Sequence, residues 1–584
     1  MQVDDLSGRF GAPLHVCFLP CRHIERQEPS APLLLGGARN ARFTESASVE
    51  PVQPGSATLI AFAALSWASA CLPLPAANFQ WSANAAPLRA LNAASRRGAA
   101  PDLTLRNDTY RRSATMAATL QRPFWTSKRC LAAEGRTMTP DLIQRHAAPL
   151  PRYTSYPTAN HFSAKVTAAD YRGWLADLPE GAALSLYLHI PFCKELCWYC
   201  GCSTKAVHRY DPVADYMQPL GREIETISGL VPAKHRVTHI HWGGGSPDIL
   251  KPDDILRLGR LMREKFVIDP GAEIAVEIDP RLMTEEQAHA FADIGINRVS
   301  IGVQDFDVAV QRAIGRMQSY ETTAAVVEMF RRRGVTSINI DLVYGLPHQT
   351  VESCTRTLEQ VISLNPDRIA IFGYAHLPER LKHQRLIDEK ALPGVVERFA
   401  QSSKLSELLI EAGYTQLGLD HFARAADSLA TKALARNFQG YTTDAADALI
   451  GFGASAISRL PQGFAQNSVP VDEYFRRVSA EGVAIARGHC FTSDDTLRAY
   501  VIERLMCDFA FSWDDLVRRF GERAESIRLD AEAVVAGDAD HLVDNSEEAF
   551  RLTSRGKVLV RNVCAAFDAY LTRDVARRRH ALSV

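Results

Sequence analysis

Twelve cysteines are spread over 584 residues, yet four of them fall between positions 193 and 202. Three stand in the spacing CxxxCxxC, as Cys193, Cys197 and Cys200 of IPFCKELCWYCGC. Thiolates are soft ligands, so three on one compact loop suit a [4Fe-4S] cluster whose remaining iron is left to bind a small molecule. A zinc site would have to recruit Cys202 or a nearby His as fourth ligand, and buried or incidental cysteines are a third reading. A disulfide fits poorly with such tight spacing in a reducing compartment. Two further patterns carry chemistry. Gly243, Gly244 and Gly245 in HWGGGSP open the backbone to close approach, either by a ligand or only by the chain itself in a tight turn. Glu277, Gln304, Arg316 and Asp341 can accept from amines and hydroxyls or pair with a carboxylate. Each alone reads as a surface or salt-bridge residue; four converging on one place read as a site.

Convergence needs elements that finish together. Short β-branched and apolar runs at 184–190, 237–242, 273–278, 298–303, 337–343 and 368–373 predict six strands. Amphipathic stretches at 216–230, 255–266, 285–294 and 324–333 predict the helices between them. The alternation describes βα units around a parallel sheet, an α/β fold in the form of a partial (β/α)6 TIM-like barrel, where ligands sit at the C-terminal strand ends. Those ends read HIPFC, HWGGGSP, EIDP, GVQDF, NIDLVYGLP and FGYAHLP, so the chemistry-bearing residues cluster where the barrel would open. Residues 391–413 predict a further helix, and 492–515 and 531–574 a mainly helical C-terminal domain.

Charge divides the chain. Residues 1–137 hold 14 Arg and one Lys against nine acidic residues, a formal +6, whereas 138–584 hold 51 basic and 58 acidic, a formal −7. The leader is rich in Ala, Ser, Pro and Arg, shows no sustained period, and reads as a non-globular extension. Its apolar run at 57–74 carries Ser66, Ser69 and Pro73 and is marginal for a membrane span. It also begins too far in for a secretory signal, whereas an organelle transit leader matches the composition. Translation of upstream sequence from an early start is the preferred reading, with the functional protein beginning near Met138. The near-neutral total argues against a general nucleic-acid binder. The remaining expectations are a cytoplasmic monomer with no membrane span.

The cysteine spacing after the first strand, Tyr199 before the last cysteine and the GGGSP turn together resemble the radical S-adenosylmethionine superfamily. The strings YLHIPFC, CGC, HWGGGSP, GVQDF, NIDLVYGLP, NPDRIAIFGYAHLP, LDHFA, RNFQGYTT and SAIS are similar to the oxygen-independent coproporphyrinogen III oxidases, also called dehydrogenases, from about Pro151 onward. The resemblance implies that Cys193, Cys197 and Cys200 hold the cluster, with Cys202 outside the ligand set. It implies that S-adenosylmethionine is bound by Tyr187, Tyr199, Gly244, Gly245, Ser246, Glu277, Gln304, Arg316, Asp341, Ala375 and Ile457, in two molecules. Tyr199, Gly245, Ser246, Gln304 and Ile457 would fall on the second of these. Ser246 stands where the family commonly has Thr, a change that keeps the hydroxyl.

The implied substrate is coproporphyrinogen III, whose propionates call for cations and donors; Arg152, His421, Arg424, Arg436, Gln439 and Tyr441 are the candidates. The implied reaction is oxidative decarboxylation of two propionates to vinyl groups, giving protoporphyrinogen IX in haem biosynthesis, through a 5'-deoxyadenosyl radical. It requires an electron donor and an acceptor that the residues do not identify. A radical-SAM-like haem chaperone is the alternative; Cys202 and the complete PRYTSYPTA favour the enzyme.

The expected organisation is a leader to 137, a cover segment at 138–183, the barrel at 184–415, substrate-site elements at 416–490 and the C-terminal domain at 491–584. PRYTSYP at 151–157 is too polar and turn-rich for a core strand and is expected over the barrel mouth. Lys557 and Arg561 in SRGKVLVRN read as a solvated helix face, with an anion patch as the other reading. The ligand assignment has a direct check: replacing Cys193, Cys197 or Cys200 with Ala abolishes cluster assembly, whereas Cys202→Ala retains the iron. Loss of iron in the Cys202 variant would mean that the ligand set is larger than three.

Overall fold

Six successive strands place apolar side chains at every second position. They are β1 (Ala183–Ile190), β2 (Arg236–Gly244), β3 (Ile268–Ile278), β4 (Arg298–Gln304), β5 (Ser337–Tyr344) and β6 (Arg368–Gly373). Leu184, Leu186, Leu188 and Ile190 of β1, Val299, Ile301 and Val303 of β4, and Ile338, Ile340 and Leu342 of β5 all belong to one buried core. Side chains alternate across a strand, so the intervening Tyr187, Ser300, Asn339 and Asp341 face the other way.

Helices cover the apolar face. α1 (Asp211–Ser228) buries Val213, Met217, Leu220, Ile224 and Ile227, the three-and-four spacing of one helical stripe. α2 (Pro252–Lys265) follows β2 and buries Ile255, Leu258 and Met262. α3 (Glu285–Asp293) starts at a Thr284/Gln287 capping box, α4 (Tyr320–Arg331) at the Ser319 cap, and α5 (Val351–Ser363) at a Thr350/Ser353 capping box. The six strands pair in parallel in chain order, as the βα alternation requires.

The computed structural model describes residues 138–571, 580, 582 and 583; the leader of 1–137, with its apolar run and the expected start near Met138, lies outside the described residues. No helix among the described residues is long and apolar enough to cross a membrane.

Two features differ from the sequence-based expectation, and a third adds to it. The sheet does not stop near residue 415. After α6 (Val395–Glu411), β8 (His421–Arg424) pairs antiparallel with β6, and β7 (Tyr414–Leu417) pairs antiparallel with β8 at the sheet edge. On the opposite edge β9 (Ala448–Phe452) lies parallel to β1, and β10 (Ile457–Leu460), β11 (Gly463–Asn467) and β12 (Ile485–Cys490) continue antiparallel, giving twelve strands. These runs are short, and they join the sheet through partners distant in the chain at β8–β6 and β9–β1, so the local pattern did not separate them from loops.

The C-terminal part also contains a three-stranded sheet, β13 (Ala510–Ser512), β14 (Val543–Asn545) and β15 (Ala549–Leu552), among its helices α7 (Ser493–Asp508), α8 (Trp513–Phe520), α9 (Ala524–Ala536) and α10 (Val560–Ala566). It has its own core, into which Ile143, Tyr153 and Tyr156 of the N-terminal segment pack. Arg561, finally, is no solvated residue. It is buried and donates to the carbonyls of Pro151, Leu150 and Leu582.

That anchor holds the segment carrying Arg152. Arg561→Ala would leave buried carbonyls without their donor, a cost of roughly 2–4 kcal/mol. Chemical denaturation should show the loss; stability within about 0.5 kcal/mol of the parent would deny the residue this role.

Candidate functional site

The inward faces of β1 to β6 line one cavity of about 690 Å³. Tyr187, Glu277, Gln304 and Asp341 reach it from the strands, Tyr199, Cys200 and Cys202 from the loop after β1, and Ala375 from the end of β6. Arg152, His421, Gln439 and Tyr441 close its other side.

The cysteine loop is fastened at both ends. Phe192–Cys193 pairs in parallel with Lys205–Ala206, and the residues beyond β6 bind it from above. His383 Nε2 lies 2.7 Å from the Cys200 carbonyl, and the buried Gln384 donates to the carbonyls of Tyr199 and Ala375 at 3.0 and 3.1 Å. Each sulfur meets a different donor. Cys193 Sγ is 3.1 Å from Thr204 Oγ1, Cys197 Sγ is 3.6 Å from Arg316 Nη1 and 3.7 Å from Arg281 Nη2, and Cys200 Sγ is 3.4 Å from the Cys202 N–H. Donors directed at three sulfurs fit thiolates that hold an iron–sulfur cluster. Burial pushes the Cys193 thiol up to about 12, while the neighbouring Cys202 side chain brings Cys200 down to about 7.

The glycine run is required by what surrounds it. A Cβ on Gly243 would stand 2.8 Å from a Glu277 carboxylate oxygen, and one on Gly244, at φ +114°, 2.8 Å from the His189 ring. A Cβ on Gly245 would come within 2.4 Å of both the Phe192 carbonyl and Thr204 Oγ1. Gly244, Gly245 and Ser246 are not among the residues lining the cavity, and the Ser246 hydroxyl donates to Asp248. Burial, with Asp279 close by, pushes the Asp248 carboxyl up to about 7.

The carboxylates on the wall have opposite settings. Burial raises the Glu277 carboxyl, but His241 Nε2 at 2.8 Å and the Gly244 N–H outweigh it and hold the group below the usual carboxylate range. Burial wins at Asp341, raising it although Ser300 Oγ and Asn339 Nδ2 donate to it at 2.9 and 2.8 Å. Gln304 sits at φ +70°, a strained left-handed backbone for a non-glycine, where the β4–β5 register shifts.

Other expected residues are placed elsewhere. Arg316 is buried beside Cys197, bonded to Asp279 and the Gly302 carbonyl. Ile457 begins β10 and does not line the cavity. Arg424 is a correction: β8 runs antiparallel to β6, which carries Arg424 to the N-terminal strand ends, where it lines a second cavity of about 700 Å³ and bonds the Ala412 carbonyl. Arg436 Nε and Nη2 donate to the carbonyls of Tyr153 and Arg152, its guanidinium lies 4.3 Å from the Tyr441 ring, and its buried Nη1 has no hydrogen-bond partner. The Tyr441 hydroxyl donates to the Met506 carbonyl, which leaves its ring to face the cavity. Arg152 donates to the Gly373 carbonyl at 2.7 Å, and His421 packs edge-on against Tyr441.

Sequence reasoning missed the deeper wall. His239 pairs with Asp444 at 3.3 Å and Glu273 with Arg298 at 2.7 Å, and both pairs line the cavity. Glu277 was found by its place at a strand end; a period of two counted back from it would have reached Glu273, as one counted back from His241 would have reached His239. Arg281, two positions past the end of EIDP's aspartate, carried no such signal.

A parallel sheet with three cysteines on the loop beyond its first strand is the arrangement of the radical S-adenosylmethionine proteins, and the Radical SAM superfamily model matches residues 187–361. Among curated relatives, the oxygen-independent coproporphyrinogen III oxidase of Bradyrhizobium diazoefficiens is 48% identical over 439 residues, covering 74% of this chain and 97% of the relative. The enzyme of that name from Escherichia coli is 41% identical over 436 residues, 74% and 95% of the two chains. The solved structure of the Escherichia coli coproporphyrinogen III oxidase HemN, a radical SAM enzyme, superposes with a TM-score of 0.69 at 39% identity, covering 72% of this chain and 98% of that one. The chain belongs to the family of oxygen-independent coproporphyrinogen III oxidases.

Gly245→Ala would force the Phe192 carbonyl and the start of the cysteine loop to move, an overpacking cost of about 1–3 kcal/mol. Lower bound iron and a lower unfolding midpoint are the expected readings. Parental values of both would show that the turn can yield.

Proposed function

We propose that this chain carries out the anaerobic oxidative decarboxylation of coproporphyrinogen III to protoporphyrinogen IX, the reaction for which its relatives are named. The observation that carries this reading is that Cys200 and the polar faces of five strands border the same cavity as Arg152 and His421. Cys193, Cys197 and Cys200 would hold the [4Fe-4S] cluster, and the donors at their sulfurs suit it. The cluster with S-adenosylmethionine supplies, when bound, a radical able to remove hydrogen from an unactivated carbon.

The chain's own groups have definable tasks. Glu277, kept anionic by His241, can accept hydrogen bonds from an amine or hydroxyls of S-adenosylmethionine; Asp341, Gln304, Tyr187 and Tyr199 would border it. The inner carboxylate Glu273 is already paired with Arg298, so an anionic substrate is repelled little by it. Arg152 and His421 stand nearer the strand ends, where a propionate can be met by positive charge or an N–H; Gln439 and the Tyr441 ring would complete that side. Loss of a β-hydrogen, carbon dioxide and one electron from a propionate leaves a vinyl group, and two such events complete the product. The segment after β6, bonded to the loop through His383 and Gln384, would keep water from the reacting carbon.

The test is anaerobic turnover of reconstituted, reduced protein with S-adenosylmethionine and coproporphyrinogen III, read by product mass. The expected product has lost two carbon dioxide units, with 5'-deoxyadenosine formed. Intact substrate, with a full cluster present, would overturn the proposal.

A further inference from the structure

Cys197 differs from the other two loop cysteines in the charge beside it. Its sulfur has two guanidinium groups within 3.7 Å, from Arg281 and Arg316, whereas Cys193 meets a hydroxyl and Cys200 a backbone N–H. One carboxylate aligns both cations. Asp279 Oδ2 accepts from Arg281 Nη2 at 2.6 Å and from Arg316 Nη1 at 3.0 Å, and Arg281 Nε reaches Asp279 Oδ1 at 3.0 Å. Two positive charges against one negative leave a net positive patch at this sulfur. The side chains of Arg281 and Arg316 are only 13% and 7% exposed, so water screens the patch weakly.

The two arginines are held differently. Arg316 also bonds the Gly302 carbonyl at 2.7 Å and Gln318 at 3.2 Å, and so is built into the barrel wall. Arg281 is fastened instead to the cysteine loop, its Nη1 3.3 Å from Glu195 Oε2, between Cys193 and Cys197. Glu195 is 69% exposed, and its countercharge is largely damped by solvent. Arg281 can therefore be replaced without opening the wall.

Resting on the reading that Cys193, Cys197 and Cys200 hold the cluster, we propose that Arg281 is a positioning residue that raises the cluster's reduction potential through Cys197. One-electron reduction adds a negative charge to the cluster. A guanidinium N–H at a ligating sulfur stabilises the reduced state more than the oxidised one, and so makes the electron easier to accept. Asp279 sets the fork, and Glu195 keeps it against the loop.

The experiment compares the full-length parent with Arg281→Gln and Arg281→Lys, each reconstituted anaerobically and assayed for iron and sulfide. Each is then titrated with dithionite in the absence of S-adenosylmethionine and substrate, with the reduced cluster followed by electron paramagnetic resonance. The expected result is parental iron content with a lower midpoint potential in both variants, the fall being greater for Gln than for Lys, which keeps the charge but loses the fork. Should Arg281→Gln not assemble the cluster, the Arg281→Lys titration decides. A parental midpoint in a fully loaded variant overturns the inference while leaving the cluster reading intact; a parent without iron and sulfide overturns that reading, and this inference with it.

Discussion

Everything at this site depends on the parity of β-strand side chains. Successive residues point to opposite faces, so a strand that buries Leu184, Leu186 and Leu188 under helices must turn Ser185 and Tyr187 inward. Repeated over β1 to β5, that rule makes an inner surface that carries His, Glu, Arg, Ser, Asn and Asp. The helices supply the hydrophobic stabilisation on one face, and the other face is released from packing to bind a polar ligand. A one-residue slip in any strand would exchange the two sets, burying charge and exposing the core, which is why the register is strongly specified.

A polar interior carries an electrostatic cost, and the structure offsets it locally. Glu273 faces Arg298, Glu277 faces His241, and His239 faces Asp444. Around the cysteines the same logic appears at shorter range. Asp279 neutralises part of the charge of Arg281 and Arg316, and what remains is directed at Cys197. The glycine turn belongs to this arrangement too. Glu277, His189 and the cysteine loop press against three consecutive residues, and only a chain without Cβ atoms lets all three approach.

Much of this was legible locally. The six strands and their helices follow from hydrophobic period and capping residues, which act within a few positions. Glu277 and Asp341 were found because they stand near strand ends, and the cysteines because ligands on one loop are close in sequence. The strands β7 to β12 were not found, since runs of four to six residues show little period, and the sheet they extend is reached only through the long-range pairs β8–β6 and β9–β1. Arg424 and Arg561 were misread for a related reason. An arginine's sequence context is the same whether it meets water, a ligand or buried carbonyls.

The amino-acid order by itself determined the βα alternation, the inward and outward faces of each strand, the three-cysteine loop and the family, because these rest on spacing within a strand, a turn or a motif. Only the tertiary structure decided which cations reach the cavity and which are spent elsewhere. Arg152 arrives there, Arg436 bonds its backbone carbonyl, Arg424 is carried to the opposite end of the sheet, and Arg281 is brought to a sulfur 84 positions earlier. The long flexible side chain of arginine lets any of these outcomes follow from the same local sequence, and strand direction and long-range hydrogen bonds select among them.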